Sequence, residues 1–197
     1  MNDQERFWKG EEGDAYAERN IGNVASNTAF FARALARSGE IESVLELGAG
    51  IGENIEALHN LLPDAEFWSV EINRNAAERI NYGNVIVASL LSFKLPSECK
   101  PDLVITKGVL IHVNPSDLQT AYLRLYECSK RYILIAEYFN PTPVSVEYRG
   151  QAERLWKRDF AAEMMNEYPL RLVDYGFVWK HDPMWNQDNL NWWLLSK

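Results

Sequence analysis

Apolar residues fall at helical spacing over residues 28–38, where Phe30, Phe31 and Leu35 share a face and Gly39 ends the run. Residues 41–47 form a short β-branched and apolar run that stops at glycines, the pattern of a buried strand. The alternation then continues. It predicts helices over 53–62, 75–81 and 115–128, the first closed by Pro63 and the last opened by Pro115. It predicts strands over 66–72, 84–88, 102–106 and 132–138. Strands alternating with helices in this way imply a parallel sheet covered on both faces. After Asn140 the rhythm changes: Pro141 and Pro143 bracket a loop, and residues 158–168 look helical. Two longer strands follow at 170–179 and 189–196, joined by a turn over 180–188, and read as an antiparallel hairpin. The expected fold is α/β: a Rossmann-like, doubly wound, mostly parallel sheet of seven strands with a C-terminal antiparallel hairpin.

Length adds that this is one domain, since 197 residues leave little room for a second. A formal charge of −8, from 20 Lys+Arg against 28 Asp+Glu, excludes a generally basic nucleic-acid coat. Cys99 and Cys128 lack metal-ligand spacing and are too few for a disulfide framework, so no metal is expected and both read as reduced thiols of a cytoplasmic protein. The N-terminus lacks a signal-peptide core, and the apolar stretch 103–113 is broken by Thr106, Lys107 and His112, so no membrane is expected as a partner. Seven Trp and nine Tyr suit a pocket that stacks a flat ligand.

The chemistry concentrates after the first strand, at Glu46-Leu47-Gly48-Ala49-Gly50-Ile51-Gly52. Glycines there let the chain turn tightly and a ligand approach it closely, with the next helix aiming its N-terminus at that ligand. A dinucleotide fingerprint needs a third glycine where Glu53 stands, and that acid would repel a pyrophosphate. Glu71, at the end of the second strand, is placed to accept ribose hydroxyls. Glu46 adds an acid that suits a ligand with a cationic amine.

These residues, with Lys107-Gly108-Val109-Leu110-Ile111-His112 after the fourth strand, resemble the class I S-adenosylmethionine-dependent methyltransferases over residues 41–138. The resemblance implies S-adenosylmethionine as cofactor and S-adenosylhomocysteine as product. It implies that Gly48, Ala49, Gly50, Gly52 and Asn54 cradle the methionine part with Glu46 and Lys107, and that Glu71 and Ile72 hold the ribose side. Family members often carry an acid after the third strand for the adenine amine. Here that place reads Ala88-Ser89-Leu90, leaving Ser89, Leu90 or backbone groups. The segments Phe7-Trp8-Lys9-Gly10, Gly13-Asp14-Ala15-Tyr16, Asn140-Pro141-Thr142-Pro143, Tyr148-Arg149-Gly150 and Lys157-Arg158-Asp159-Phe160 resemble the methylases found in pseudaminic acid biosynthesis clusters, which implies a sugar acceptor.

Methyl transfer from a sulfonium needs alignment in a dry site, and a base only if the acceptor arrives protonated. Strands four and five deliver His112, Glu137, Tyr138 and Asn140 to the ligand edge. His112 reads either as a base or as a structural histidine, and only one of Glu137 and Tyr138 is expected to face the pocket. The basic stretch Tyr148, Arg149, Arg154 and Arg158 reads either as a clamp for an anionic acceptor or as a solvated face; on a shared helix Arg154 and Arg158 would lie at i,i+4. Residues 1–27, with Trp8, Tyr16 and Arg19, are expected to form a helical lid over the cofactor, with an aromatic ring beside the sulfonium. The core is then 41–138, the acceptor-side insert 139–168 and the hairpin 169–197. The expected function is methylation of a small polar, anionic acceptor such as a nonulosonic acid or a nucleotide sugar, with no nucleic-acid partner. An amine acceptor, a non-catalytic cofactor-binding subunit and, more distantly, a nicotinamide oxidoreductase are the alternatives, and the oligomeric state is open.

Overall fold

The computed structural model describes residues 1–96 and 99–197. Two short helices open it, α1 (Asp3–Lys9) and α2 (Glu11–Arg19). Asn2 and Glu5 cap α1 reciprocally, each side chain taking the other's backbone N–H. Helix α3 (Val24–Ala34) starts four residues before the expected position. The cause is long-range: the Glu53 carboxylate accepts the N–H groups of Gly22 and Asn23 and fixes the entry to the helix.

The core then runs β1 (Ser43–Leu47), α4 (Glu53–Leu61), β2 (Glu66–Glu71), α5 (Arg74–Ala77), β3 (Asn84–Val87), β4 (Leu103–Lys107), α6 (Leu118–Cys128) and β5 (Tyr132–Glu137). The expected helix over 75–81 is a single turn, capped by the Asn73 side chain on the Ala76 N–H. A 3-10 turn, Leu110–His112, follows β4, and another, Pro115–Asp117, leads into α6.

The insert corrects the sequence reading. Residues 141–143 are a loop, as expected, but this loop is followed by a two-stranded antiparallel hairpin, β6 (Val144–Tyr148) and β7 (Gln151–Lys157). Arg149 and Gly150 form its tip, both with positive φ, the geometry of a two-residue hairpin turn. Arg154 therefore lies on a strand, and no helix face carries it with Arg158. Helix α7 (Phe160–Glu167) starts behind an Asp159 cap, and β8 (Arg171–Val178) and β9 (Leu190–Ser196) close the chain.

The main sheet has the order β3-β2-β1-β4-β5-β9-β8, with β9 antiparallel to both its neighbours and the rest parallel. Its central strands β1, β4 and β5 are buried on both faces, which is why they read as apolar runs, while the edge strands β3 and β8 are largely exposed. In β5, Ile133 and Ile135 face α6 and α7, packing with Tyr122, Leu125, Phe160 and Met164. Leu134 and Ala136 face the other way, toward Phe30 and Phe31 of α3 and Ile55 and Leu58 of α4. Each fully buried Leu, Ile, Phe or Met among these contributes roughly 1.5–3 kcal/mol. The strand order reverses between β1 and β4, which opens a crevice at the carboxyl ends of the strands.

Candidate active site

β1 delivers the glycine loop into that crevice. Gly48 has φ 79°, and a Cβ on it would stand 2.6 Å from Val109, so that position belongs to the packing of the loop. Gly52 is similarly pressed against Ile80 at the start of α4. Gly50 differs: a Cβ there would meet nothing within 4 Å, so its backbone faces open space. Its N–H donates to Glu71 Oε2 at 2.7 Å, and the Asn73 N–H donates to Oε1 at 2.8 Å. Burial pushes the Glu71 carboxyl up, against those two bonds, which orient it. Each oxygen keeps a lone pair for a further donor.

Behind the loop, Glu46 is fully buried and takes the Asn54 amide at 2.6 Å, while its Oε2 and the Asn54 Oδ1 have no partner among the described residues. Burial pushes its pKa up to about 7. Lys107, at the end of β4, donates to Asn27 Oδ1 at 3.2 Å, and burial pulls its pKa down.

Two cavities meet at this crevice. The first lies between the sheet ends and the α1–α2 pair. Trp8, Tyr16, Gly48, Gly50, Glu71, Ile72, Ser89, Leu90 and Lys107 all line it, as sequence reasoning grouped them. Asn73 ties the roof down: its amide donates to Asp14 at 2.8 Å and reaches the Trp8 and Gly10 carbonyls at 3.4 Å. Asn2 reaches Asp117 at 2.7 Å. Only glycine fits at position 13, where a Cβ would stand 1.9 Å from the Trp8 carbonyl oxygen. Gly13→Ala is therefore expected to loosen the roof. Limited proteolysis between Gly10 and Gly22 should speed up about tenfold, equivalent to about 1.4 kcal/mol of local opening, with the global urea midpoint nearly unchanged. Equal cleavage rates would mean that the helices slide to absorb the methyl group.

Past β4, the first 3-10 turn is held from below by Glu137. The fully buried carboxylate accepts the N–H groups of Val109 at 3.0 Å and Leu110 at 2.9 Å, with Ile111 at 3.4 Å. Burial pushes its pKa up to about 7. Of the two candidates on this strand end, Glu137 thus lines neither cavity, and Tyr138 lines the second, its hydroxyl donating to Asp188 at 2.7 Å. His112 closes the turn and lines both cavities. Its Nδ1 stands 2.8 Å from the Arg154 carbonyl oxygen. A carbonyl only accepts, so Nδ1 carries the proton and Nε2 presents a lone pair. Burial pulls the His112 pKa down to about 4, so the ring is neutral at pH 7. Trp8 and Tyr148 flank it, with ring centroids at 4.5 and 5.0 Å.

The second cavity, about 610 Å³, is open and polar, within the size range of small-ligand sites. Ala49 and Asn54 line it beside the glycine loop, and Tyr148, Arg149 and Lys180 line its outer part. The rest of the basic stretch lies elsewhere. Arg154 stacks on Phe7 at 5.0 Å, which anchors α1 to the hairpin. Arg158 pairs with Glu163 at 2.8 Å, and Glu163 also takes the Tyr122 hydroxyl at 2.7 Å. Asn140 bonds to Thr142, and Arg19 is exposed; neither lines a cavity. Asn73, Asn27 and Asp188 were not found by sequence reasoning, because their partners are remote in the chain, and Lys180 carries no motif that marks it.

No protein-family model matches the chain, and no curated protein matches it. Solved structures do. A magnesium protoporphyrin IX methyltransferase from Synechocystis, with bound S-adenosylmethionine, superposes with TM-score 0.68 at 12% identity, covering 100% of this chain and 98% of its own. A 1,6-didemethyltoxoflavin-N1-methyltransferase from Burkholderia thailandensis, with bound substrate and S-adenosylhomocysteine, gives 0.67 at 15%, covering 98% and 86%. An S-adenosylmethionine-dependent methyltransferase from Leishmania major gives 0.68 at 18%, covering 98% and 81%. At these identities the likeness is one of architecture: the chain has the Rossmann-like fold of the class I S-adenosylmethionine-dependent methyltransferases.

Proposed function

We propose that the protein is an S-adenosylmethionine-dependent methyltransferase acting on a small polar, anionic acceptor, with a carboxylated sugar or nucleotide sugar as the preferred class. The observation that carries the cofactor is the pairing of Glu71 with the Gly50 N–H in the wall of the first cavity. The residues present fit that ligand. Glu71 keeps acceptor capacity for two ribose hydroxyls, and the open face of Gly50 leaves room for close approach. The unpaired Glu46 Oε2 and Asn54 Oδ1 add negative potential beside the loop, where an ammonium group is favoured. Ile72, Ala88, Leu90 and Val113 give the slot apolar walls for a flat ring.

When bound, the cofactor supplies an electrophilic methyl group on a sulfonium. The chain's own residues would do the rest. α1 and α2 roof the slot and exclude water. His112, neutral and with its Nε2 lone pair free, can receive a proton from an acceptor hydroxyl. Arg149 and Lys180 on the outer wall of the second cavity offer charge to an anionic acceptor. The likeness to methylases of pseudaminic acid clusters supports the same acceptor class.

Titration calorimetry with S-adenosylhomocysteine tests the reading. Micromolar binding, about −8 kcal/mol, is expected for the wild type. Glu71→Ala should weaken it by about 1.5–3 kcal/mol, the scale of hydrogen bonds to a charged group. No heat with the wild type would overturn the cofactor. Turnover of cationic but not anionic acceptors would overturn the acceptor class.

A further inference from the structure

The strand pair β8–β9 has two unlike faces. On one, α3 covers β8: Val173 and Val178 pack with Phe30, Phe31 and Ala34, and Asp174 meets Arg37 at 3.4 Å. On the other, paired residues run in rows across the sheet, Ile133 to Leu195 to Leu172 and Ile135 to Trp193 to Tyr175. Leu195 and Trp193 pack into the core that α6 and α7 build, but Leu172 and Tyr175 stand beyond it, exposed. Phe177 and Trp179 continue the strip at every second residue. Phe139 widens it, its ring 5.9 Å from that of Trp193. Tyr175, Trp179 and Phe177 are 67%, 53% and 49% exposed. With Leu172 and Phe139 they present roughly 500 Å² of apolar surface, taking about 150–250 Å² for a whole aromatic side chain. That matches the largest patches found on monomers, and it is more than half of the about 800 Å² that each partner buries in a stable interface. β8 is also the last strand of the sheet, so its outer N–H and C=O groups have no ladder partner among the described residues. Edge strands normally carry charges or proline that keep identical edges apart, yet Leu172, Tyr175, Phe177 and Trp179 are all uncharged. A formal charge of −8 makes copies of the chain repel one another elsewhere, and this neutral strip is where two can approach. We infer that this face is a homodimer interface: two copies pack their β8 strips across a two-fold axis, Tyr175, Phe177 and Trp179 of each covering those of the other. Lys180 follows Trp179 directly, so the contact stands beside the outer wall of the second cavity.

Sedimentation equilibrium of the full chain across a dilution series tests it, with no ligand needed. At about 50 μM the wild type is expected to have the mass of two chains. Tyr175→Thr combined with Phe177→Thr removes two aromatic rings while keeping residues that favour strands. The pair should weaken the dimer about 100-fold or more, the scale of two interface hot spots. Val87→Thr, an equally exposed change on β3 at the opposite edge of the sheet, should leave the dimer constant as it is. A monomeric wild type would overturn the inference, whatever else the strip binds. So would a dimer that survives unchanged in the Thr pair, or one that Val87→Thr weakens equally. Should the Thr pair fail to fold, Trp179→Ser carries the test, since it lies past the end of β8. It should weaken the dimer about tenfold, and an unchanged constant would place the interface elsewhere and overturn this one.

Discussion

Glu137→Ala is expected to lower the unfolding free energy by about 3–6 kcal/mol at pH 7, from two well-formed bonds to a buried carboxylate at about 1.5–3 kcal/mol each. The Val109 and Leu110 N–H groups that lose their acceptor lie at the start of a buried 3-10 turn, and neither has another acceptor among the described residues. The turn presents His112 to both cavities, so the damage extends beyond stability. Urea unfolding reads the first effect. S-adenosylhomocysteine affinity, measured on the folded fraction at low temperature, reads the second and should fall in parallel. Glu137→Gln keeps a carbonyl oxygen for the same two donors and should retain most of both. A loss below about 1 kcal/mol in Glu137→Ala would mean that water enters and takes over the carboxylate's role. Glu137 is thus a positioning residue, acting through the turn that carries His112.

What the sequence made legible follows the range of the forces involved. The parallel strands were readable because burial on both faces leaves uninterrupted apolar runs such as Val104-Ile105 and Ile133-Leu134-Ile135. The glycine loop and Glu71 were readable because the loop is local and the acid follows at one strand-helix-strand interval. Where a contact crosses the chain, the reading failed. The start of α3 depends on Glu53, about thirty residues on. The β6–β7 hairpin was hidden by its exposed charges, Glu147, Arg149 and Glu153, which drew attention to a clamp. Its strand formers, Val144, Val146, Tyr148, Leu155 and Trp156, carried the better signal. Arg158 has Glu153 and Asp159 close by in the sequence, yet its partner is Glu163, one helical turn into α7. The roof was recognisable from its aromatics, but Asn73, which ties it down, reads in sequence as an ordinary helix cap.

Glu137 also predicts an unusual dependence of stability on pH. Burial raises its carboxyl from 4.5 to about 7 in the folded protein. The folded state therefore holds the proton more tightly than the unfolded chain does. Stability from this group is fully present below pH 4.5 and is lost as pH rises toward 7, at up to about 1.4 kcal/mol per pH unit. Glu46, also raised by burial to about 7, acts in the same direction. His112 opposes them: its pKa falls from 6.5 to about 4 on burial, so it costs stability as pH drops through that interval. A wild-type profile alone would blur these opposing slopes. The informative quantity is the difference between the wild type and Glu137→Gln, which cancels Glu46 and His112. That difference should favour the wild type most at pH 5 and shrink by about 3 kcal/mol as the pH approaches 8. Urea midpoints at pH 5, 6, 7 and 8 measure it. Parallel profiles for the two proteins would mean that the backbone N–H groups of the turn keep Glu137 ionised throughout, so that hydrogen bonding outweighs burial at this site.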